Sequence, residues 1–134
     1  MDIESVQKAV ISSVTDAEAF EGIPEVTAVN YDTSLLRITI SFENIDYPVH
    51  VIFDGVRGFR VLDEGDLLEF WNPDVRANGW LWFVEKGGWF ELESLRKGFV
   101  SGVTGGYREY LVLGQNDCVS VIAYGEPKIE TLKP

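Results

Sequence analysis

Alternation of apolar and polar residues with a period of two dominates the chain from Glu25 onward. In "LLRITISFE", Leu36, Ile38 and Ile40 fall on one side of an extended strand, with polar residues between them. Short runs of the same kind recur between turn residues: "EVTAVNY", "VHVIF", "VRGFRVL", "WLWFVE", "YREYLVLG" and "CVSVIAYG". Because such runs are typical of antiparallel strands, the sequence predicts a sheet of about six to eight strands.

The residues between these runs predict which strands pair. Turn-forming residues at 32–34, glycines at 87–88 and the polar triplet at 115–117 each separate two runs, so we expect three hairpins there, the second pairing "WLWFVE" with "WFELESL". The last hairpin is apolar on both faces, which predicts a central place in the sheet. The tail "PKIETLKP" is predicted to add an edge strand.

The N-terminal segment has a different period. "DIESVQKAVISSV" places Ile3, Val6, Val10 and Val14 near helical spacing, and "TDAEAFEGIP" can form a second short helix. The predicted fold class is therefore α+β: one or two N-terminal helices packed on a strongly bent, mainly antiparallel sheet or half-barrel. With 134 residues, the chain is expected to form a single domain, 1–134.

The net charge of −11 is unevenly distributed. Residues 1–74 hold 15 acids and 4 bases, whereas residues 75–134 hold 7 of each. A negative field repels phosphates, so direct binding to nucleic acid or to an anionic membrane is disfavoured. The same field attracts a basic protein partner. The alternative interpretation is that the acidic composition only keeps the protein soluble.

No motif for a cofactor or metal is found. His50 is the one histidine and Cys118 the one cysteine, too few for a zinc site, and both lie in apolar strand patterns typical of packed residues. The chain contains no P-loop, GxGxxG or GxSxG sequence. The lone cysteine, the acidic N-terminal segment and the lack of a long apolar run predict a cytoplasmic protein.

The stretch "FRVLDEGDLLEFW", residues 59–71, concentrates carboxylates next to aromatic residues. Its spacing does not fit an EF-hand loop. A solvated helix face, a carboxylate pair of a small hydrolase and one wall of a docking surface remain as interpretations. The docking interpretation predicts a partner-binding set consisting of Asp54, Asp63, Glu64, Asp66, Glu69 and Trp71.

Tryptophans offer an alternative ligand site. Trp80 and Trp82 are two residues apart and would share one face of a strand, with Trp89 beyond the predicted turn. Such a row can stack on a sugar ring or another aromatic ligand. The same row can instead seal one side of a sandwich or barrel.

Taken together, the acidic first part with "DEGDLLEFW" and the closing "REYLVLGQNDCVSVIAYGEPKIE" resemble the small immunity proteins of contact-dependent inhibition and related bacterial polymorphic toxin systems. The resemblance concerns overall character across the chain. It implies a non-enzymatic, stoichiometric inhibitor whose acidic face plugs the basic site of a partner such as a nuclease toxin. A structural subunit of a larger assembly is the further alternative.

Overall fold

The computed structural model describes residues 10–13, 19–33, 35–63, 79–86, 88–98 and 106–131. These residues form nine strands and one short α-helix. The strands are β1 (Val10–Ser13), β2 (Glu25–Asp32), β3 (Leu35–Ser41), β4 (Val49–Phe53), β5 (Val56–Asp63), β6 (Leu81–Lys86), β7 (Arg108–Leu113), β8 (Asp117–Ala123) and β9 (Lys128–Thr131), and the helix is α1 (Trp89–Glu93).

The strands form two antiparallel sheets that enclose one core. One sheet has five strands in the order β1-β6-β7-β8-β5, and the other has four in the order β2-β3-β4-β9. Alternate residues of β3 and β4, among them Ile38 and Val51, are fully buried against Val112 and Val121 of the larger sheet. Apolar residues from both sheets therefore bury their surface in one shared layer, which makes the fold a β-sandwich.

The predicted α+β fold with a packed N-terminal helix is wrong. In its described ranges the protein is mostly β, with two sheets and one short helix, in place of a single bent sheet covered by helices. Val10–Ser13, predicted as helix, is strand β1 and pairs with β6. Its sequence "VISS" begins with two β-branched residues, which favour a strand once a neighbouring edge is available for pairing. Residues 19–24, the described part of the second predicted helix, form no α-helix, and residues 1–9 and 14–18, the remainder of the two predicted helices, lie outside the described ranges.

Two of the three predicted hairpins are confirmed. β2 pairs with β3 and β7 with β8, and β7 and β8 are central in their sheet and buried on both faces. The predicted edge strand near the C-terminus is β9. The hairpin between "WLWFVE" and "WFELESL" is wrong, because residues after Gly88 turn into α1 instead of pairing with β6.

Strand direction gives the sandwich two distinct ends. At one end β2 and β4 begin, β3 and β5 finish, and the β7–β8 turn packs against β2 through a hydrogen bond from Gln115 N to Pro24 O of 2.9 Å. At the opposite end the turn at Asp54 and Gly55 joins β4 to β5, and Tyr124 N donates to Gly55 O at 3.0 Å. Loops that are distant in sequence are thereby gathered into two groups.

Candidate functional site

Exposed carboxylates collect at the end of the sandwich that carries the β7–β8 turn. We call this group the acidic end, and its members are Glu21, Glu25, Glu43, Asp46, Asp63 and Asp117. They come from four separate connections of the chain. Neighbouring strands are about 4.8 Å apart and packed sheets about 10 Å apart, so these carboxylates share one compact surface.

Basic residues lie elsewhere. Within the described ranges, no Lys or Arg belongs to the acidic end; these residues lie in mid-strand positions, after α1 or toward the opposite end. The opposite end carries Asp32, Asp54, Glu85 and Glu126 beside Arg57, Arg108 and Lys128, and Arg108 contacts Glu126 at 3.6 Å. The fold therefore separates a negative end from an approximately neutral one.

The β7–β8 turn fixes the acidic end to the scaffold. Gln115 joins the two sheets with its backbone bond to Pro24 and with a side-chain bond from Nε2 to Ile23 O of 3.1 Å. Gly114 N donates to Asp117 O at 2.9 Å, and a Cβ on Gly114 would lie 2.4 Å from that oxygen and 2.9 Å from Val26 Cγ2. Only glycine lets this turn approach β2 so closely. The position of Asp117 at the start of β8 therefore depends on this turn.

Two acids of this end stand directly opposite each other. Asp63 at the end of β5 is registered with Asp117 at the start of β8. Residues opposed in an antiparallel pair have Cα atoms about 4.5–5.5 Å apart, and like charges in such pairs destabilise a sheet.

The sequence-predicted partner-binding residues fall at different places. Asp63 belongs to the acidic end, whereas Asp54 lies in the opposite turn, where its Oδ1 accepts a bond from Gly55 N of 2.8 Å. The length of β5 separates them, about 25–30 Å for an extended strand with the rise of about 3.3 Å per residue. The other members, Glu64, Asp66, Glu69 and Trp71, lie outside the described residues.

The three tryptophans proposed as a ligand row are not brought together. Trp80 precedes β6 and packs edge-on against Phe42 in the shared core, where it is 1% exposed. Trp82 is 7% exposed and lies in a separate cluster of buried residues that includes Leu111. Trp89 lies on α1, with the Arg60 guanidinium 4.8 Å from its ring centre.

A buried carboxylate lies on the outer face of the five-stranded sheet. Glu109 of β7 is 2% exposed, and its Oε1 accepts a hydrogen bond of 2.8 Å from Phe90 N at the start of α1. Burial raises the pKa of the Glu109 carboxyl above its ordinary value of 4.5, while the Phe90 N–H and the Arg60 charge oppose that rise. The Trp89 N–H also stabilises the charged form of this carboxyl, and its Oε2 is buried.

Sequence reasoning missed both the composition of the acidic end and Glu109. For Glu109 there was a signal, since an acid inside the apolar run "REYLVL" is expected to be buried with the strand. The acidic end could be found only once the strand order was known. Acids in every second connection of the chain lie at the same end of the sandwich only when the strands run antiparallel.

Several kinds of site find no support in the described residues. No group of three or more His, Cys, Asp or Glu side chains there could hold a metal ion. No helix in those ranges is long and apolar enough to cross a membrane. Comparison with protein-family models, curated proteins and solved structures found no match, so the site is interpreted from its own geometry.

Proposed function

We propose that this protein is a stoichiometric binding protein whose acidic end docks on a basic protein partner and occludes it. The observation that supports this function is the separation of charge. Six exposed carboxylates gather at one end without a described Lys or Arg among them, while acids and bases are nearly equal in number at the other end. No covalent chemistry is assigned to the site.

A concentrated negative surface acts first on the rate of encounter. Complementary fields accelerate association by roughly 10- to 1,000-fold, and the effect weakens as salt rises. The carboxylates are held by turns on a rigid sandwich, so they meet a partner without first being ordered. Placed over a cationic catalytic cleft, they occupy the positions that substrate phosphates would take, as in the immunity-type inhibitors that the sequence resembles.

The acidic stretch singled out from the sequence follows β5 in the chain. Asp63 closes β5 at the acidic end, and Glu64 follows it directly in the chain. The proposed docking surface therefore starts from described residues, and the predicted contributions of Asp66, Glu69 and Trp71 are additions to it.

The test compares two charge-reversal variants with equal total charge. One replaces Glu43, Asp46 and Asp117 by Lys at the acidic end, and the matched control replaces Asp32, Asp54 and Glu126 by Lys at the opposite end. The immobilised wild-type protein captures partners from a lysate at low salt, and the captured protein is purified. Association rates of wild type and both variants with that protein are then measured, after thermal melts show that each variant is folded.

We expect the acidic-end variant to associate roughly 10- to 1,000-fold more slowly, with the control much closer to wild type. Raising the salt concentration should bring the three rates together, since the Debye length falls to about 3 Å at 1 M. Equal decreases of the association rate in both variants would mean that only the net charge matters. An unchanged rate in both variants would exclude electrostatic docking.

A further inference from the structure

An apolar slot runs along the side of the sandwich where β2 faces β5. Tyr31 of β2 contacts Phe59 of β5, with ring centres 5.4 Å apart. Val61 lies two residues beyond Phe59 on the same core-facing side of β5, opposite the buried Val119, yet it is 44% exposed. Tyr31 is 50% exposed. The apolar layer between the two sheets is therefore open to solvent along this side.

Strand β2 forms one wall of this slot. Val29 and Tyr31 are registered opposite fully buried residues of β3, so both side chains point toward the core side of the sheet. The Tyr31 hydroxyl donates to Thr33 O, which holds the ring in place. Six of the eight residues of β2 are exposed. Among the described strands only β3 pairs with β2, so its other backbone edge has no strand partner there.

The other edge strands of the described sheets have features that discourage further pairing. β1 and β9 are only four residues long, and β5 carries Arg57, Arg60 and a bulge beside Arg57. Short length, charges and bulges are the means by which proteins protect sheet edges. β2 has eight residues, and its bulge lies near its start, between Val26 and Ala28. Residues 28–32 pair regularly with β3 and include no Lys, Arg or Pro, so this stretch is left open to strand addition.

Charge distinguishes a foreign segment from a second copy of this chain. Glu25 and Asp32 are the charged residues of β2, and both lie on its outward face, because their partners Ser41 and Leu35 on β3 are six residues apart. Two β2 strands paired symmetrically would set Glu25 of one copy against Asp32 of the other, and each copy has a net charge of −11. Like charges disfavour that pairing, whereas Lys or Arg at both positions favours it.

We propose that β2 accepts an extended segment of another protein, which pairs antiparallel along residues 28–32 as a fifth strand of the smaller sheet. Backbone hydrogen bonds would hold the segment, and the slot would select its alternate side chains. Residues that meet Val29 and Tyr31 are apolar, and residues that meet Glu25 and Asp32 are Lys or Arg. This site lies along the side of the sandwich and takes a free peptide, so it does not depend on docking through the acidic end.

The test uses a peptide designed on the register of β2. In acetyl-KVTVTVK-amide, run antiparallel to β2, the valines face the slot and the two lysines meet Asp32 and Glu25. The control peptide acetyl-EVTVTVE-amide differs only at those two positions. By NMR we expect saturable binding that protects amides of residues 28–32 from exchange with solvent, and binding of the glutamate peptide that is weaker by about tenfold or more.

Backbone pairing has a signature that general charge attraction lacks. Successive N–H groups of a strand point to opposite sides, so only every second N–H of the peptide meets β2. In one version of the lysine peptide the three valines are N-methylated, and in another the two threonines. We expect one version to bind and the other to bind more weakly by about tenfold or more, because it loses its hydrogen bonds to β2.

Substitution of the opposite wall tests the slot. Val61→Lys places a charge in the slot without changing the backbone edge of β2 and should weaken binding by about tenfold or more. Leu95→Lys, which replaces an apolar side chain that is 78% exposed after α1, makes the same change in charge and should bind as wild type does. Thermal melts show whether both variants are folded.

A second copy is the competing occupant, and sedimentation of the free protein tests it. Dimers that protect the same β2 amides without peptide would overturn the proposal. It is also overturned if both N-methylated peptides bind equally, if the glutamate peptide binds as tightly as the lysine peptide, or if Val61→Lys binds as wild type does.

Discussion

At the scale of single residues, Glu109 is expected to make stability depend on pH. Burial raises its pKa in the folded protein above the value of 4.5 expected in the unfolded chain, against the opposing Arg60 charge and Phe90 N–H. Between these two values the folded state binds more protons, so its stability falls as pH rises through that window and stays lower above it. Glu109→Gln removes this titration while keeping the bond to Phe90.

The melting temperature of Glu109→Gln relative to wild type should therefore rise as the pH is raised from about 4 to 8. Thermal melts at several pH values measure this difference. If the difference in melting temperature between Glu109→Gln and wild type is independent of pH, the Glu109 carboxyl does not titrate as inferred.

Asp117 carries a second prediction at this scale. Its registration opposite Asp63 sets two like charges side by side, so Asp117→Asn should stabilise the free protein by about 0.2–1 kcal/mol at low salt. The gain should shrink at 1 M salt because of screening. Urea unfolding at both salt concentrations checks this, and a loss of stability would mean that the Asp117 carboxylate is held by favourable contacts.

At the scale of elements, the turn between β7 and β8 is the most constrained feature. Gly114→Ala would bring a Cβ within 2.4 Å of Asp117 O and 2.9 Å of Val26 Cγ2, which forces this turn and β2 apart. We expect a destabilisation of about 1–3 kcal/mol, measured by urea unfolding. Gly98→Ala, where no atom lies within 4 Å of the added Cβ, is the control and should be nearly neutral.

Elements defined by local pattern could be predicted, and those decided by distant contacts could not. β3 buries Leu36, Ile38 and Ile40 as its alternation requires. In contrast, Val10–Ser13 is a strand only because the edge of β6 is available, and α1 forms where a hairpin was predicted. The first peptide N–H groups of a helix need external acceptors, and here Glu109, 19 residues away, accepts the one from Phe90.

At the scale of the whole molecule, the sequence located the charge excess only roughly. It assigned the excess to residues 1–74 and grouped Asp54 with Asp63. Proximity in sequence was misleading, because β5 carries the chain from one end of the sandwich to the other between these two residues. Asp117, from the balanced half of the sequence, joins Asp63 through strand pairing alone. Which acids share a surface is thus set by strand order.

Carboxyl footprinting of the free protein and of its complex tests the docking end most directly. Exposed carboxylates are labelled with a carbodiimide and an amine, and the labelling of each residue is measured by mass spectrometry. We predict that the partner protects Glu25, Glu43, Asp46 and Asp117 while Asp32, Asp54 and Glu126 stay as reactive as in the free protein. Protection of the second group, or equal protection of both, would contradict docking through the acidic end.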